Sequence, residues 1–205
     1  MAQEKNVTGL KALKAYDTRK LVLLGLLTAI VVVMQFIGAA IRFGTFSVSL
    51  VMLPIVVGAT LLGVFEGAWL GLAFGITVLL SGDAGIFIAF NPFGAILVVL
   101  LKGMLAGFVA GAAYRVCSGI NRTGAALLSA MFCPLVNTGV FFVGVYAFFM
   151  PLITDMSRSA GFGDAASFIF IGLIGLNFIF ELGLNIVLCP VIIRLIQYGQ
   201  NRRAG

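Results

Sequence analysis

The sequence predicts an all-α integral membrane protein, built as a bundle of six transmembrane helices. Of its 205 residues, 61% are hydrophobic and only 10% are charged, and the mean hydropathy is +1.18. These values lie far outside the composition of soluble domains. Apolar stretches that are long enough to cross a hydrocarbon core of roughly 30 Å as helices recur from Leu21 onward. We therefore expect no separate soluble domain.

The predicted spans follow one another closely along the chain. The second and third are separated only by GVFEG, which predicts a tight helical hairpin with Glu66 at its turn. A polar, basic arm precedes the first span, and the apolar stretch after this arm is too long for a signal peptide, so we expect that stretch to be a retained first span. The predicted domains are an arm at 1–20, a six-helix transmembrane domain at 21–195 and a tail at 196–205. The six spans are predicted at 21–40, 48–64, 66–81, 92–115, 124–150 and 166–195.

Three longer breaks between the spans should all lie on one face of the membrane if the spans alternate in direction. They read IRFGTFSV, SGDAGIFIAFN and PLITDMSRSAGFGDAAS. The alternation of Phe43, Thr45 and Ser47 in the first break indicates an extended segment, such as a short hairpin.

The basic residues orient the bundle. Only Arg42 and Arg158 flank the face with the three longer breaks, and Lys102 lies within a span. Cytoplasmic segments carry the excess of Lys and Arg. We therefore predict a multi-pass protein of the cell (plasma) membrane with both termini in the cytoplasm. The ten basic residues on the cytoplasmic side are Lys5, Lys11, Lys14, Arg19, Lys20, Arg115, Arg122, Arg194, Arg202 and Arg203.

Several function classes are disfavoured by what the sequence lacks. It has no Walker A motif, so the chain would not use ATP alone. It has no histidine, no paired aspartates and no GxSxG, so we expect no enzyme activity. Its three cysteines form no CxxC pair, and we predict no metal site and no cofactor. The basic excess follows the topology, so we predict no nucleic-acid partner.

Two ionisable residues are predicted at membrane depth, Lys102 and Glu181. An ionisable group there costs on the order of 2.5 to 3.5 kcal/mol, so each is a candidate functional residue. Counted from the outer ends of their helices, Lys102 lies about 15 Å deep and Glu181 roughly 20 Å deep. These depths allow the two side chains to meet, directly or through one water.

Further polar residues surround this pair. Asn177, Glu181 and Asn185 are spaced by four and share one helix face. Asn137 lies in the fifth span, and Asp83 can line the outer mouth. The cluster has two open interpretations, since the groups could bind a polar ligand from outside or only neutralise one another and tie helices together. The predicted substrate-binding residues are Arg42, Asn91, Lys102, Asn137, Asn177 and Glu181.

Small residues form a second pattern. Gly25 and Ala29 are four apart on the first span, and such a stripe permits close approach of another helix. It follows a basic cytoplasmic arm, which suits docking to another membrane subunit. GATLLG, GAWLGLAFG and GMLAGFVAG repeat the pattern on the next three spans, where internal packing is expected.

The chain resembles the substrate-binding S components of energy-coupling factor (ECF) vitamin transporters. The likeness lies in GLLTA, in SLVMLPIVVGATLLGVFEGAWLGLAFGITVLL, and in FNPFGAILVVLLKGMLAG followed by CPLVNTG, and it runs from Lys20 to Arg194. The resemblance implies a subunit of an ECF-type ABC importer that binds a vitamin or precursor under its outer loops. Its partners would be a T-type transmembrane subunit and two ABC-type ATPases. The family's Ala-xxx-Ala motif reads Gly25-xxx-Ala29 here, which keeps the small side chains.

The second-span block is most similar to the branch that includes pantothenate, riboflavin and folate carriers. Pantothenate is favoured because its carboxylate suits Lys102 or Arg42 and its hydroxyls and amide suit asparagines. Folate shares the anion, and riboflavin would use loop phenylalanines. The alternative is a self-sufficient secondary transporter of a small polar metabolite that couples Lys102 and Glu181 to protons.

Overall fold

The computed structural model describes residues 2–40, 42–43, 46–47, 50–175, 179, 182–183, 185–187 and 194. Within these ranges the regular elements are helices and one antiparallel ladder with two residues in each strand. The elements are α1 (Ala2–Ala40), β1 (Arg42–Phe43), β2 (Phe46–Ser47), α2 (Met52–Leu61), α3 (Val64–Leu80), α4 (Gly85–Phe90), α5 (Pro92–Cys117), α6 (Arg122–Phe148), α7 (Met150–Ser159), α8 (Ala165–Ser167) and a π-helical segment, Phe168–Gly175.

The described helices confirm a helical membrane protein. Three of them are long and apolar enough to cross a bilayer: the Thr18–Ala40 part of α1, α5 and α6. Helices α2 and α3 are apolar but shorter, with 10 and 17 residues. The predicted fourth and fifth spans agree with α5 and α6 to within two residues at each end. Most of the predicted sixth span lies outside the described residues, so the count of six stays a prediction.

The predicted hairpin between α2 and α3 is confirmed, but the prediction that Glu66 lies at its turn is wrong. The chain turns at Gly63, whose φ of 134° is a backbone conformation that residues with side chains rarely adopt. Helix α3 begins directly afterwards, so Glu66 lies in its first turn and not in a loop. There its carboxylate forms an ion pair with Lys20 of α1 and lies near the positive end of the helix dipole.

The loops between the spans contain more structure than the sequence indicated. The hairpin predicted in IRFGTFSV is confirmed, with Phe43 paired to Phe46. The other two breaks, expected to be loops, contain the short helices α4 and α7. Before α8, the Asp164 carboxylate accepts a hydrogen bond from the Ser167 backbone N–H at 2.5 Å. This bond, with a second one from the Ser167 side chain, lowers the pKa of Asp164.

Glycines bring α3 and α5 into backbone contact. The two helices run antiparallel, with Gly67 facing Gly107 and Gly71 facing Gly103. A Cβ atom on Gly67 would lie 2.6 Å from the Gly107 carbonyl oxygen, and Cβ atoms on Gly71 and Gly103 would lie still closer to the opposite backbone. No side chain fits there without moving a helix, so the small residues at intervals of four serve internal packing, as predicted.

Helix α6 packs along the other side of α5, also antiparallel. The Ser129 hydroxyl donates a hydrogen bond of 2.8 Å to the Ala110 carbonyl, and a Cβ atom on Gly144 would meet the Val98 side chain at the opposite end. Helix α2 is apolar all round and almost wholly buried among its neighbours, as such a helix must be in a bundle. Helix α5 therefore forms the axis of the described bundle.

The α3–α5 contact yields a stability prediction. Gly71→Ala should lower the melting temperature of the detergent-purified protein, because the new methyl group meets the Gly103 backbone and overpacking of this kind costs about 1–3 kcal/mol. Gly139→Ala is the matched control, since a Cβ atom there has no neighbour within 4 Å. The control should melt at or above the wild-type temperature because alanine favours the helix. A Gly71→Ala variant as stable as the control would contradict the close contact.

Candidate functional site

The candidate site centres on Lys102, which projects from α5 and is half-buried. Its Nζ atom lies 5.0 Å from the ring centroid of Phe141 on α6 and 5.9 Å from that of Phe74 on α3. Both distances are within the range of cation–π attraction. The three central helices therefore converge on one ammonium group. Lys102 lies ten residues along α5 from its first residue, Pro92, which is about 15 Å along the helix axis.

Asn137 lies at the same level of the bundle. The contacts of α5 with α6 pair Ala110 with Ser129 and Val98 with Gly144, so the residues of α6 opposite Lys102 lie within about one turn of Asn137. Asn137 is also one turn from Phe141 on the same face of α6. The sequence-based prediction that spans four and five share a polar interior is consistent with this register.

The side chain of Asn137 is 7% exposed, and its Oδ1 atom accepts no hydrogen bond from any residue that the structure describes. A buried acceptor without a donor is rare in native proteins and costs free energy. The register of α5 and α6 places this buried acceptor within about one helical turn of the level of Lys102.

Phenylalanines cover the site on the side that faces α4. Phe87 of α4 packs edge-on against Phe141, with ring centroids 5.6 Å apart, and against Phe149, at 5.0 Å. Phe90 continues the cluster to Phe149 at 6.3 Å. Because Phe141 also contacts Lys102, a continuous set of side-chain contacts connects the short helix α4 with the ammonium.

A polar contact near the C-terminal ends of α1 and α3 was not predicted. Gln35 is 4% exposed, and its Nε2 atom donates a hydrogen bond of 2.6 Å to Asp83 and a longer one of 3.5 Å to Ser81. It fastens α1 to the segment that leads into α4. The signal was available in the sequence, since Gln35 is a single polar residue within the apolar run VVVMQFIG.

The other predicted site residues have different outcomes. Asn91 caps α5, and its Oδ1 atom accepts a hydrogen bond from the Gly94 N–H at 3.1 Å. Arg42 lies in β1, where only the backbone is described. Asn177 and Glu181 lie outside the described residues, as does any Lys102–Glu181 contact. Asn185, from the same predicted stripe, is described and is 2% exposed.

The predicted docking residues lie on one exposed face of α1. Gly25 and Ala29 are both exposed, and a Cβ atom on Gly25 would have no neighbour within 4 Å. The opposite face of α1 carries the buried residues Leu27, Val31 and Gln35. The small-residue stripe of α1 therefore differs from the stripes of α3 and α5, which pack against each other.

Comparison with known proteins adds one finding. The family model described as "ECF transporter, substrate-specific component" matches residues 19–193, a range that includes the Lys102 site and the exposed stripe of α1. No curated protein and no solved structure matches the chain. Substrate-specific components are substrate-binding membrane subunits of transporters and not enzymes, and they work with a T component and ATPases. The helical membrane architecture agrees with the match, and the chain belongs to the family of substrate-specific components of ECF transporters.

Proposed function

We propose that this subunit binds a vitamin or vitamin precursor from the outside of the cell (plasma) membrane, and that pantothenate is favoured over riboflavin and folate. Both termini would be cytoplasmic, and six spans would form the bundle. The pantothenate carboxylate would pair with Lys102 or Arg42. Its hydroxyl and amide groups would bind asparagines. The proposed binding residues are Arg42, Asn91, Lys102, Asn137, Asn177 and Glu181.

The observation that carries this proposal is the placement of Lys102. Its ammonium is half-buried at membrane depth, against the rings of Phe74 and Phe141. A carboxylate that enters this site would gain a charge-assisted bond to the ammonium in a medium of low dielectric constant. The shielding rings of Phe87 and Phe149 would exclude water from that bond.

The exposed stripe at Gly25 and Ala29 supports docking to the T-type transmembrane subunit, because small side chains allow two helices to approach closely. Two ABC-type ATPases would supply the energy through that subunit. The alternative function, proton-coupled secondary transport by this chain alone, differs in needing no partner.

A lysine substitution tests the substrate site. Lys102→Met removes the charge but keeps much of the stem, so the affinity for pantothenate should fall by a factor of about ten or more, since 1.4 kcal/mol is tenfold. The measurement is calorimetric binding to the purified protein. Arg158→Met is the matched control, because it removes an exposed charge of α7 and should leave the affinity unchanged.

The structural interpretation of Lys102 predicts a different result. If the lysine only neutralises Glu181, Lys102→Met leaves a buried carboxylate unpaired and lowers the melting temperature, and Glu181→Gln restores it. A stable double variant with wild-type affinity for pantothenate would contradict the proposed role of Lys102.

The proposed topology predicts a labelling pattern. In a chain whose three native cysteines are replaced by alanine, Ser159→Cys should react with a membrane-impermeant maleimide in intact cells, because Arg158 is predicted outside. Asn201→Cys, beside the cytoplasmic Arg202, should react only after the membrane is permeabilised. The reverse pattern would overturn both the orientation and an outer substrate site.

The docking face predicts a separation of binding from transport. Gly25→Leu and Ala29→Leu together should leave substrate binding intact but abolish uptake by the complete complex, because the bulky side chains block close approach of another helix. Unchanged uptake would contradict docking at this face. Uptake by the subunit alone in liposomes, driven by a pH gradient without ATPases, would instead establish the secondary transporter.

A further inference from the structure

Asn137 has an unusual position among the buried polar side chains. Its Oδ1 atom is inaccessible to solvent and lacks a hydrogen-bond donor among the described residues. The Oδ1 atom of Asn185 is likewise buried without a donor, although Asn185 takes part in another contact. Five further buried polar side chains of the described bundle each donate a hydrogen bond. They are Gln35 to Asp83, Thr60 to the Val57 carbonyl, Thr77 to the Ala73 carbonyl, Ser129 to the Ala110 carbonyl and Ser157 to the Asp164 carbonyl.

The neighbours of Asn137 on its own helix face are already engaged. Cys133, Asn137 and Phe141 are spaced by four and form one stripe of α6. On the inner side, the Cys133 sulfur lies 3.6 Å from the Met52 sulfur of α2. On the outer side, the Phe141 ring contacts Lys102. Asn137 thus lies between a closed packing contact and the candidate site.

The ammonium of Lys102 does not satisfy this acceptor. It is directed at the rings of Phe141 and Phe74, and Asn137 Oδ1 has no hydrogen bond from it. A leucine at position 137 would remove the unsatisfied oxygen at similar volume, so the amide costs stability where an apolar residue would not. Such a cost is expected where a ligand supplies the missing partner.

We propose that Asn137 Oδ1 accepts a hydrogen bond from the substrate, so that the substrate must carry an N–H or O–H donor as well as an anionic group. The inference rests on the proposed function, because it takes the anion to bind Lys102. Packed helices are separated by about 8–10 Å, so the donor and the anion lie within about 10 Å of each other. A small hydroxy- or amido-carboxylic acid has this chemistry.

The same geometry makes Asn137 a specificity-determining residue. A carboxylate that lacks the donor would leave the Asn137 oxygen buried and unpaired, and sites of this kind reject such analogues far more strongly than apolar pockets reject a missing methylene group. A simple alkyl carboxylate of similar size is therefore excluded, although it could still pair with Lys102.

The first experiment needs no ligand. The melting temperature of ligand-free, detergent-purified Asn137→Leu is compared with that of the wild type, and it should be equal or higher because an unsatisfied buried acceptor is removed. Asn121→Leu is the matched control, since Asn121 Oδ1 accepts hydrogen bonds from the Thr123 and Gly124 N–H groups as the cap of α6. The control should melt at a lower temperature. A lower melting temperature for Asn137→Leu would show a structural role and overturn the inference.

The second experiment measures binding of pantothenate, riboflavin and folate to the same proteins. A vitamin that binds the wild type should bind Asn137→Leu at least tenfold more weakly. Analogues of that vitamin, each with one N–H or O–H group methylated, should include one that binds the wild type tenfold more weakly than the vitamin does. Asn137→Leu should not discriminate between that analogue and the vitamin. Equal affinity of both proteins for the vitamin, or undiminished discrimination in Asn137→Leu, would overturn the inference and leave the proposed function standing.

The failure of the proposed function has a separate signature. If none of the three vitamins binds the wild-type protein, the proposed substrate is wrong, while a stable Asn137→Leu variant still supports an acceptor that awaits a donor. The two arms therefore distinguish a wrong substrate from a wrong role for Asn137.

Discussion

The backbone contact between α3 and α5 is the constraint on which the rest of the described structure depends. Gly71 and Gly103 face each other with no room for a Cβ atom on either side. Since Lys102 and Phe74 are close neighbours of these glycines along their helices, the same contact brings the ammonium within 5.9 Å of the Phe74 ring. A wider separation of the two helices would weaken their packing. It would also open the wall of the site that Phe74 forms. Dispersion between closely packed backbones holds such helices in a bilayer, where there is little hydrophobic drive for association.

The site lies between two clusters of buried side chains with different compositions. The first cluster is largely aliphatic and joins α1, α2, α3, α5 and α6. The second cluster includes Phe149, Ile153 and Phe168, and further phenylalanines from the short helices and loops pack against it. Polar groups between these clusters can act on a ligand because water is largely excluded around them. Lys102 contributes a charge and Asn137 an acceptor, and neither is what packing alone would select. Both residues are therefore the basis of the proposed substrate site.

Sequence reasoning worked best where a single physical requirement dominates. The apolar lengths predicted α5 and α6 to within two residues, and glycine spacing predicted close packing on α3 and α5. It failed at the α2–α3 turn because GVFEG contains two glycines, and only the backbone conformation of Gly63 shows which one reverses the chain. It did not predict the role of Gln35, because an amide carries no formal charge, although burying an amide without a partner is also costly. The short helices α4 and α7 were predicted as loops because they have only 6 and 10 residues and lie among turn-forming residues, and both pack against the cluster that contains Phe149.

The amino-acid sequence by itself determined that the chain resides in a membrane, that Lys102 falls within an apolar helix, and which helices can approach closely. These properties follow from the cost of placing each residue type in hydrocarbon, which depends little on its neighbours. Only the tertiary structure decided that Lys102 faces Phe74 and Phe141, that Glu66 pairs with Lys20, and that Asn137 lacks a donor within the described bundle. Such contacts depend on the rotation and register of one helix against another. A shift of one residue turns a side chain by about 100°, and periodicity along a single helix cannot specify that rotation relative to its neighbours.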